Sequence, residues 1–352
     1  MINFYKDKNI VVTGHTGFKG SWLCKVLTYM GANVFGYSLL PNTTPNLFSL
    51  CDFSNRLTST IGDIRNLEQL QVLFEQAQPD IVFHMAAQPL VSEGYSNPVY
   101  TYETNVMGTV NVLECIRRSD RVKSFVNITT DKVYQNNEWH WGYRETDVLN
   151  GFDPYSNSKS CSELVTDCYK KSFFSDRGIS ISTVRAGNVI GGGDFSDLRI
   201  IPDCVRAAIN NTPIELRHPN SIRPYQFVLE PIFVYILLAM KQYENKFYSD
   251  CYNVGPEDKD CITTLELVNL FSEFWGNGLT INISDKSSFH ESNYLRLDSS
   301  KVKSKLGWKP VLDIKQAVAL TVEFTKCYYK DQSQVDSLMQ RQIEQYLSLF
   351  KV

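Results

Sequence analysis

Seven residues near the N-terminus, Gly14-His15-Thr16-Gly17-Phe18-Lys19-Gly20, limit the possible folds more than any other part of the chain. Just before them stands Asn9-Ile10-Val11-Val12-Thr13, a short apolar, β-branched run that reads as a buried strand. From Phe18 to Gly31, Trp22, Leu23, Val26, Leu27 and Met30 recur at helical spacing, with a glycine at the end. A strand, a glycine-rich turn and a helix in that order form the opening unit of a doubly wound sheet. The glycines permit the tight turn, let backbone approach a pyrophosphate and let helix and strand pack closely. The helix N-terminus adds free N–H groups and positive potential. The spacing is G-x-x-G-x-x-G, and its place between strand and helix predicts a dinucleotide site.

The rest of the chain continues the pattern. Asn33 to Tyr37, Asp80 to Met85, Ser124 to Ile128 and Ile179 to Val184 read as strands, and Leu67 to Gln76 and Thr104 to Arg118 as helices. Continuous apolar strands alternating with helices indicate a parallel sheet covered on both faces. After Gly187 the pattern loosens into Gly191-Gly192-Gly193-Asp194 and Pro219 to Pro224, with helical stretches at Ile201 to Asn210, Pro231 to Tyr243 and Thr264 to Phe274. The expected fold is α/β: a doubly wound parallel Rossmann sheet with a smaller C-terminal mixed α/β substrate lobe. The expected divisions are 1–187 with about 226–256 for the nucleotide domain, 188–225 and 257–330 for the lobe, and 331–352 for a terminal surface helix.

Composition removes several classes. The 35 basic and 38 acidic residues nearly balance, against a protein that works by neutralising nucleic-acid phosphates. The stretch Phe227 to Met240 is apolar but broken by Glu230 and Pro231 and too short to span a bilayer. Nine cysteines, none in a Cys-x-x-Cys pair, argue against a disulfide framework or a zinc site. A cytoplasmic protein without a metal is expected, with neither nucleic acid nor membrane as partner.

Tyr155-Ser156-Asn157-Ser158-Lys159 sets a phenol and an ammonium one helical turn apart on one face. A fixed cation favours the phenolate of a tyrosine, an otherwise poor base at neutral pH. Thr129-Thr130-Asp131-Lys132 follows a predicted strand end, where the active groups of parallel sheets gather. There Thr130 would bond Tyr155, Asp131 would act as an acid, and Lys132 as a second base if its pKa is lowered. NAD and NADP are not separated, because Tyr37-Ser38-Leu39-Leu40 after the second strand offers neither an acid for a ribose nor an arginine for a 2′-phosphate. Asp63-Ile64 reads either as an adenine contact or as an N-cap before Leu67.

These segments, with Phe83 to Val91, Thr104 to Thr109, Trp141 to Glu145, Val184 to Asp194, Ser221 to Pro224 and Leu306-Gly307-Trp308, resemble the extended short-chain dehydrogenase/reductases. Within them the resemblance is to the CDP-glucose group of nucleotide-sugar 4,6-dehydratases, over most of residues 8 to 312. It implies NAD as cofactor and CDP-glucose as substrate. The reaction is C4 oxidation, loss of water across C5–C6, and hydride return to C6. The catalytic residues implied are Thr130, Asp131, Lys132, Tyr155 and Lys159, with Lys132 either the C5 base or an enolate-stabilising cation. The implied cofactor contacts are Gly14, Thr16, Gly17, Phe18, Lys19, Gly20, Asp63, Ile64, Ala86, Ala87, Gln88, Asn105 and Thr129, together with Tyr155 and Lys159. Gln88, Asn188, Arg199 and Arg223 are implied on the substrate side. The resemblance further implies a homodimer paired through Thr104 to Arg118 and Ser156 to Ser172, and a role in cell-surface polysaccharide such as O-antigen. Other readings are a dehydratase of GDP-, dTDP- or UDP-sugars, a 4-epimerase or reductase on the same scaffold, and a cofactor-binding scaffold without chemistry.

Overall fold

The computed structural model describes residues 1–276, 278–283 and 294–350. Its centre is a seven-stranded sheet. The first six strands are β1 (Asn9–Thr13), β2 (Asn33–Ser38), β3 (Leu57–Ile61), β4 (Ile81–His84), β5 (Ser124–Thr130) and β6 (Ser180–Ala186), and the seventh is Cys251–Val254. Across the sheet they run β3-β2-β1-β4-β5-β6 and then Cys251–Val254, all parallel. The order reverses between β1 and β4, and ligands of such sheets bind at the carboxyl ends beside that point. Thr13 pairs with His84 there, so the glycine turn and the loop after β4 leave the sheet side by side.

Most polar side chains inside the sheet find partners, as buried polar groups generally do. Ser124 donates to Ala239 O (3.0 Å), and the Asn127 amide donates to Ser162 and Thr166. The helix Leu229–Glu244 is buried over most of its circumference and covers one face of β5 and β6. No described helix is long and apolar enough to cross a membrane.

The helix Pro154–Tyr169 begins where its cap dictates. Asp153 accepts the Ser156 N–H (3.0 Å) and the Ser156 hydroxyl (2.5 Å), and Pro154 occupies the first turn. That start puts Tyr155 at the head of the helix and Lys159 one turn below, beside the end of β5.

Short strand pairs build the second lobe: Ile214–Leu216 with Ile281–Ile283, and Ile222–Arg223 with Ile262–Thr263. Strand β3 and the strand Cys251–Val254 were not among the strands read from the sequence, and two helices also differ from the expectation. The helix Ile314–Lys330 was not anticipated, although Asp313 and Gln316 form a reciprocal capping box at its start. The helix Val335–Leu349 is docked rather than merely superficial. Leu338, Met339, Ile343 and Tyr346 are buried, Asp336 pairs with Lys25 (2.6 Å), and the Tyr346 hydroxyl donates to Glu230 (2.7 Å).

Candidate active site

The glycine turn is sterically closed. Gly14 has φ +78°, and a Cβ there would stand 2.7 Å from Ala86 N. A Cβ on Gly20 would lie 2.0 Å from Gly14 O, so only glycine lets the helix start this close to the turn. The helix Phe18–Tyr29 is capped by Gly17, which has no side chain to give, and its first turn has no acidic residue. Its first backbone bond runs from the Ser21 N–H to Gly17 O (2.8 Å), leaving the earlier N–H groups without helical acceptors. The half-buried Lys19 follows directly. Burial, then the charges of Lys159 and Arg199, lower its pKa to about 7, against the opposing pull of Asp131. Open N–H groups and three convergent cations suit the pyrophosphate of a dinucleotide.

Other residues of the turn have structural partners. The Thr16 hydroxyl donates to Leu39 O (2.9 Å) and meets the Ser38 hydroxyl (2.9 Å), tying the turn to the end of β2. Burial lowers His15 to about 4, so its ring is neutral, with Nε2 on the Ser59 hydroxyl (2.7 Å). The cap before Leu67 is Asn66, which accepts the Gln69 N–H, and not Asp63. The Asp63 carboxylate instead pairs with Arg65 (2.7 Å), whose hydrogen bonds hold it below the usual carboxylate range. Ile64 is buried beneath this turn.

On the loop after β4, Ala86 and Ala87 are half-buried and Gln88 is buried. The Gln88 amide is fully engaged: its N–H₂ donates to the Thr101 hydroxyl (2.9 Å) and its oxygen accepts the Leu90 N–H (2.5 Å). Asn105 braces the same loop, accepting from Gln88 N (2.8 Å) and donating to Gln88 O (3.1 Å) and the Ser158 hydroxyl (2.8 Å). The amides of Gln88 and Asn105 therefore fix the loop. The Thr129 hydroxyl donates inward to Glu163 (2.5 Å).

The end of β5 and the helix Pro154–Tyr169 bring the expected chemistry together. The Thr130 hydroxyl donates to Asp131 Oδ1 (3.0 Å), and its proximity draws the pKa of the Tyr155 phenol down. Asp131 is 2% exposed, and its Oδ2 has no partner among the described residues. Burial raises its pKa, against the lowering charges of Lys132 and Arg223 and the Thr130 hydrogen bond. Burial likewise lifts Tyr155 to about 12, with Thr130 and Arg199 drawing it down and Asp131 pushing it up. The Lys159 ammonium donates to Ile128 O (3.2 Å), and burial lowers it to about 8 despite Glu163. Lys132 is half-buried beside Asp131. Arg199 pairs with Asp194 (3.4 Å) while its charge reaches Tyr155 and Lys19. Arg223 is buried at 3% and acts on Asp131, and half-buried Asn188 accepts the Gln226 N–H through its carbonyl.

One buried group escaped the sequence reading. Glu163 lies one turn beyond Lys159 on the same helix face and forms a buried ion pair with Arg185 (2.5 Å). The Tyr155, Lys159, Glu163 spacing of four was the available signal.

This arrangement can exchange a proton at a phenol, donate one from a raised carboxyl, and hold polyphosphate on cations. The comparisons agree with it. A family model described as GDP-mannose 4,6 dehydratase matches residues 11–321. The chain is 44% identical to the CDP-glucose 4,6-dehydratase of Salmonella typhimurium LT2, over 98% of both chains. Among solved structures, a dTDP-glucose 4,6-dehydratase from Bacillus anthracis in complex with NAD superposes with a TM-score of 0.77 at 22% identity, over 94% of this chain and 99% of that one. An epimerase from Methanothermobacter thermautotrophicus gives 0.84 at 21% identity, over 95% and 96%.

Proposed function

The chain belongs to the GDP-mannose 4,6-dehydratase family, and from that premise we propose that it is an NAD-dependent CDP-glucose 4,6-dehydratase, a hydro-lyase forming CDP-4-keto-6-deoxy-D-glucose. The choice of CDP-glucose rests on the 44% identity to the Salmonella enzyme of that name. The single observation that carries the chemistry is the Thr130–Asp131 hydrogen bond at the end of β5, close enough to Tyr155 to act on its phenol, beside the cations Lys19, Lys159 and Arg199.

NAD⁺ bound over the glycine turn supplies a reversible hydride acceptor for C4 and donor for C6. Tyr155 takes the proton of the sugar 4-hydroxyl, and the resulting ketone makes C5–H acidic. Burial, which raises the pKa of Asp131, favours the protonated form from which a proton goes to the departing 6-hydroxyl, which leaves as water. A neutral Asp131 also ceases to oppose ionisation of Tyr155. Burial holds both groups toward the protonated form, so Tyr155 acts as the base only as far as Arg199, Thr130 and the positive charge of bound NAD⁺ draw its proton off. Thr130 donates to Asp131 and acts on Tyr155, and so links the phenol that takes the O4 proton with the acid that spends one at O6. Lys132, half-buried beside Asp131, is assigned as either the C5 base or an enolate-stabilising cation. Arg199, Arg223 and Asn188 are assigned to the nucleotide diphosphate and sugar, the arginines through their bidentate fork.

A 4-epimerase would need the tyrosine and lysine but no acid for water loss, and the buried Asp131 carboxyl favours the dehydratase. Two copies pair through the helices around Thr104 to Arg118 and Ser156 to Ser172. Supporting this, Met107 and Leu164 are 51% and 56% exposed, and an apolar groove is lined there by Pro98, Val99, Tyr102, Val106, Met107 and Cys161. The assigned setting is the cytoplasm, in supply of a deoxysugar for surface polysaccharide. Incubating the protein and NAD⁺ with CDP-, dTDP-, GDP- and UDP-glucose side by side tests the function. The 4-keto-6-deoxy product, read by its absorbance in alkali, is expected from CDP-glucose; none from any donor overturns the reading.

A further inference from the structure

A buried ion pair is an unusual thing to place behind a catalytic face. Glu163 and Arg185 are each 3% exposed. Removing two charges from water costs several kcal/mol per ion, and neutral side chains of similar volume often serve stability as well or better. Fold stability alone therefore gives weak reason for the pair.

The pair's contacts suggest another reason. Glu163 accepts from Thr129 (2.5 Å), the residue before Thr130, and from Thr183 (3.1 Å) on β6. Arg185 grips Glu163 through Nε (2.8 and 2.9 Å) and Nη2. Its other arm donates to the Tyr134 hydroxyl (2.7 Å) and to Glu145 O (3.1 Å), and Tyr134 donates onward to Asn253 (2.6 Å). One buried network thus joins the helix bearing Tyr155 and Lys159 to both ends of the segment bearing Thr130, Asp131 and Lys132.

We propose that Glu163 and Arg185 are positioning residues of the active site: Glu163 keeps Lys159 charged, and Arg185 locks Glu163 to the strand end that carries Thr130 and Asp131. The proposal rests on the dehydratase reading for its kinetic consequence but not for its electrostatic one. The groups facing Lys159 are Lys19 from the glycine turn, His84 from β4, and Glu163 from its own helix. His84 is neutral at ordinary pH, because burial and then Lys159 lower it to about 3. Lys19 repels, and Glu163 supplies the attraction that offsets burial. Glu163 itself faces Arg185, Tyr134 and Cys251.

The sign follows. Lys159 holds its proton below about 8 and loses it as pH rises through that value. Without the Glu163 charge, the midpoint moves down. The test uses the full chain as wild type, Glu163→Gln and the double variant Glu163→Gln/Arg185→Met. Two readouts are followed against pH. One is the Lys159 side-chain NMR resonance in protein without cofactor, assigned with Lys159→Arg. The other is the single-turnover rate of nicotinamide reduction by CDP-glucose, a step that precedes water loss and so does not need Asp131 as acid. In Glu163→Gln both midpoints are expected to fall by about one pH unit or more. In the double variant, which buries no lone cation, they fall less but in the same direction. A merely structural pair would change melting temperature without moving either midpoint. A double variant that fails to fold, or folds with the Lys159 midpoint of wild type, overturns the proposal. Wild-type protein that does not convert CDP-glucose sinks the assigned reaction, while the NMR titration still decides the role of Glu163.

Discussion

The crowding of cations around Lys19 makes a proton count the most direct test of the pyrophosphate site. With a pKa of about 7, Lys19 in the free protein is mostly neutral at about pH 8 and mostly charged at about pH 6. A pyrophosphate within reach of its amine supplies the counter-charge that burial, Lys159 and Arg199 deny it, and returns the group toward the ordinary lysine value of about 10.4. Binding at about pH 8 should then take up ~0.9 proton per site, and at about pH 6 only ~0.1. ADP-ribose is the proper probe, since it carries the pyrophosphate without the nicotinamide charge. Calorimetric titration in buffers of different ionisation enthalpy gives the proton count directly. Lys19→Gln should bind more weakly and lose most of the uptake, leaving at about pH 8 the share of Lys159, itself lowered to about 8, and Asp131→Asn separates any share due to that carboxyl. No uptake by wild type at about pH 8, or undiminished uptake in Lys19→Gln, would refute the placement of the pyrophosphate against Lys19.

Three further outcomes follow from other parts of the structure. Asp131→Asn keeps the shape of the buried site but removes its proton donor. Product formation should fall by about 10²- to 10⁴-fold while reduced nicotinamide still forms on mixing with CDP-glucose, and unchanged product formation would exclude Asp131 as the acid. Gly20→Ala places a methyl 2.0 Å from Gly14 O, so the turn must open; dinucleotide binding should be lost or weakened by ~10-fold or more, and wild-type affinity by calorimetry would contradict the close-packed turn. Tyr346→Phe removes the hydroxyl donated to Glu230, whose carboxyl burial has already raised to about 7. A raised carboxyl pKa means that stability falls as pH rises from the unfolded value of about 4.3 through the folded one. The variant should lose about 1–3 kcal/mol, more at about pH 8 than at about pH 5. Denaturant titrations showing an equal loss at both would assign the bond no role in holding the charge.

What could be read from the sequence was what is local along the chain. The strand, turn and helix from Asn9 to Tyr29 are continuous, and each glycine answers to a neighbour within the turn or to the adjoining loop. Tyr155 and Lys159 are one helical turn apart, so their shared face follows from spacing alone. Sheet order is different in kind. That β5 lies beside both β4 and β6, and so delivers Thr130 to Tyr155, depends on crossovers that no short window reports. Gln88 and Asn105 show the same limit from the other side. The resemblance names both as ligand contacts, but only the structure shows that the backbone of the loop after β4 and the Thr101 and Ser158 hydroxyls take up hydrogen bonds of their amides. Glu163 and Arg185 are 22 residues apart and meet only because their strand and helix pack face to face. In sequence each looks like an ordinary surface charge. Burial turns that charge into a strong field, and the same burial that lowers Lys159 gives Glu163 its reach over the neighbouring turn.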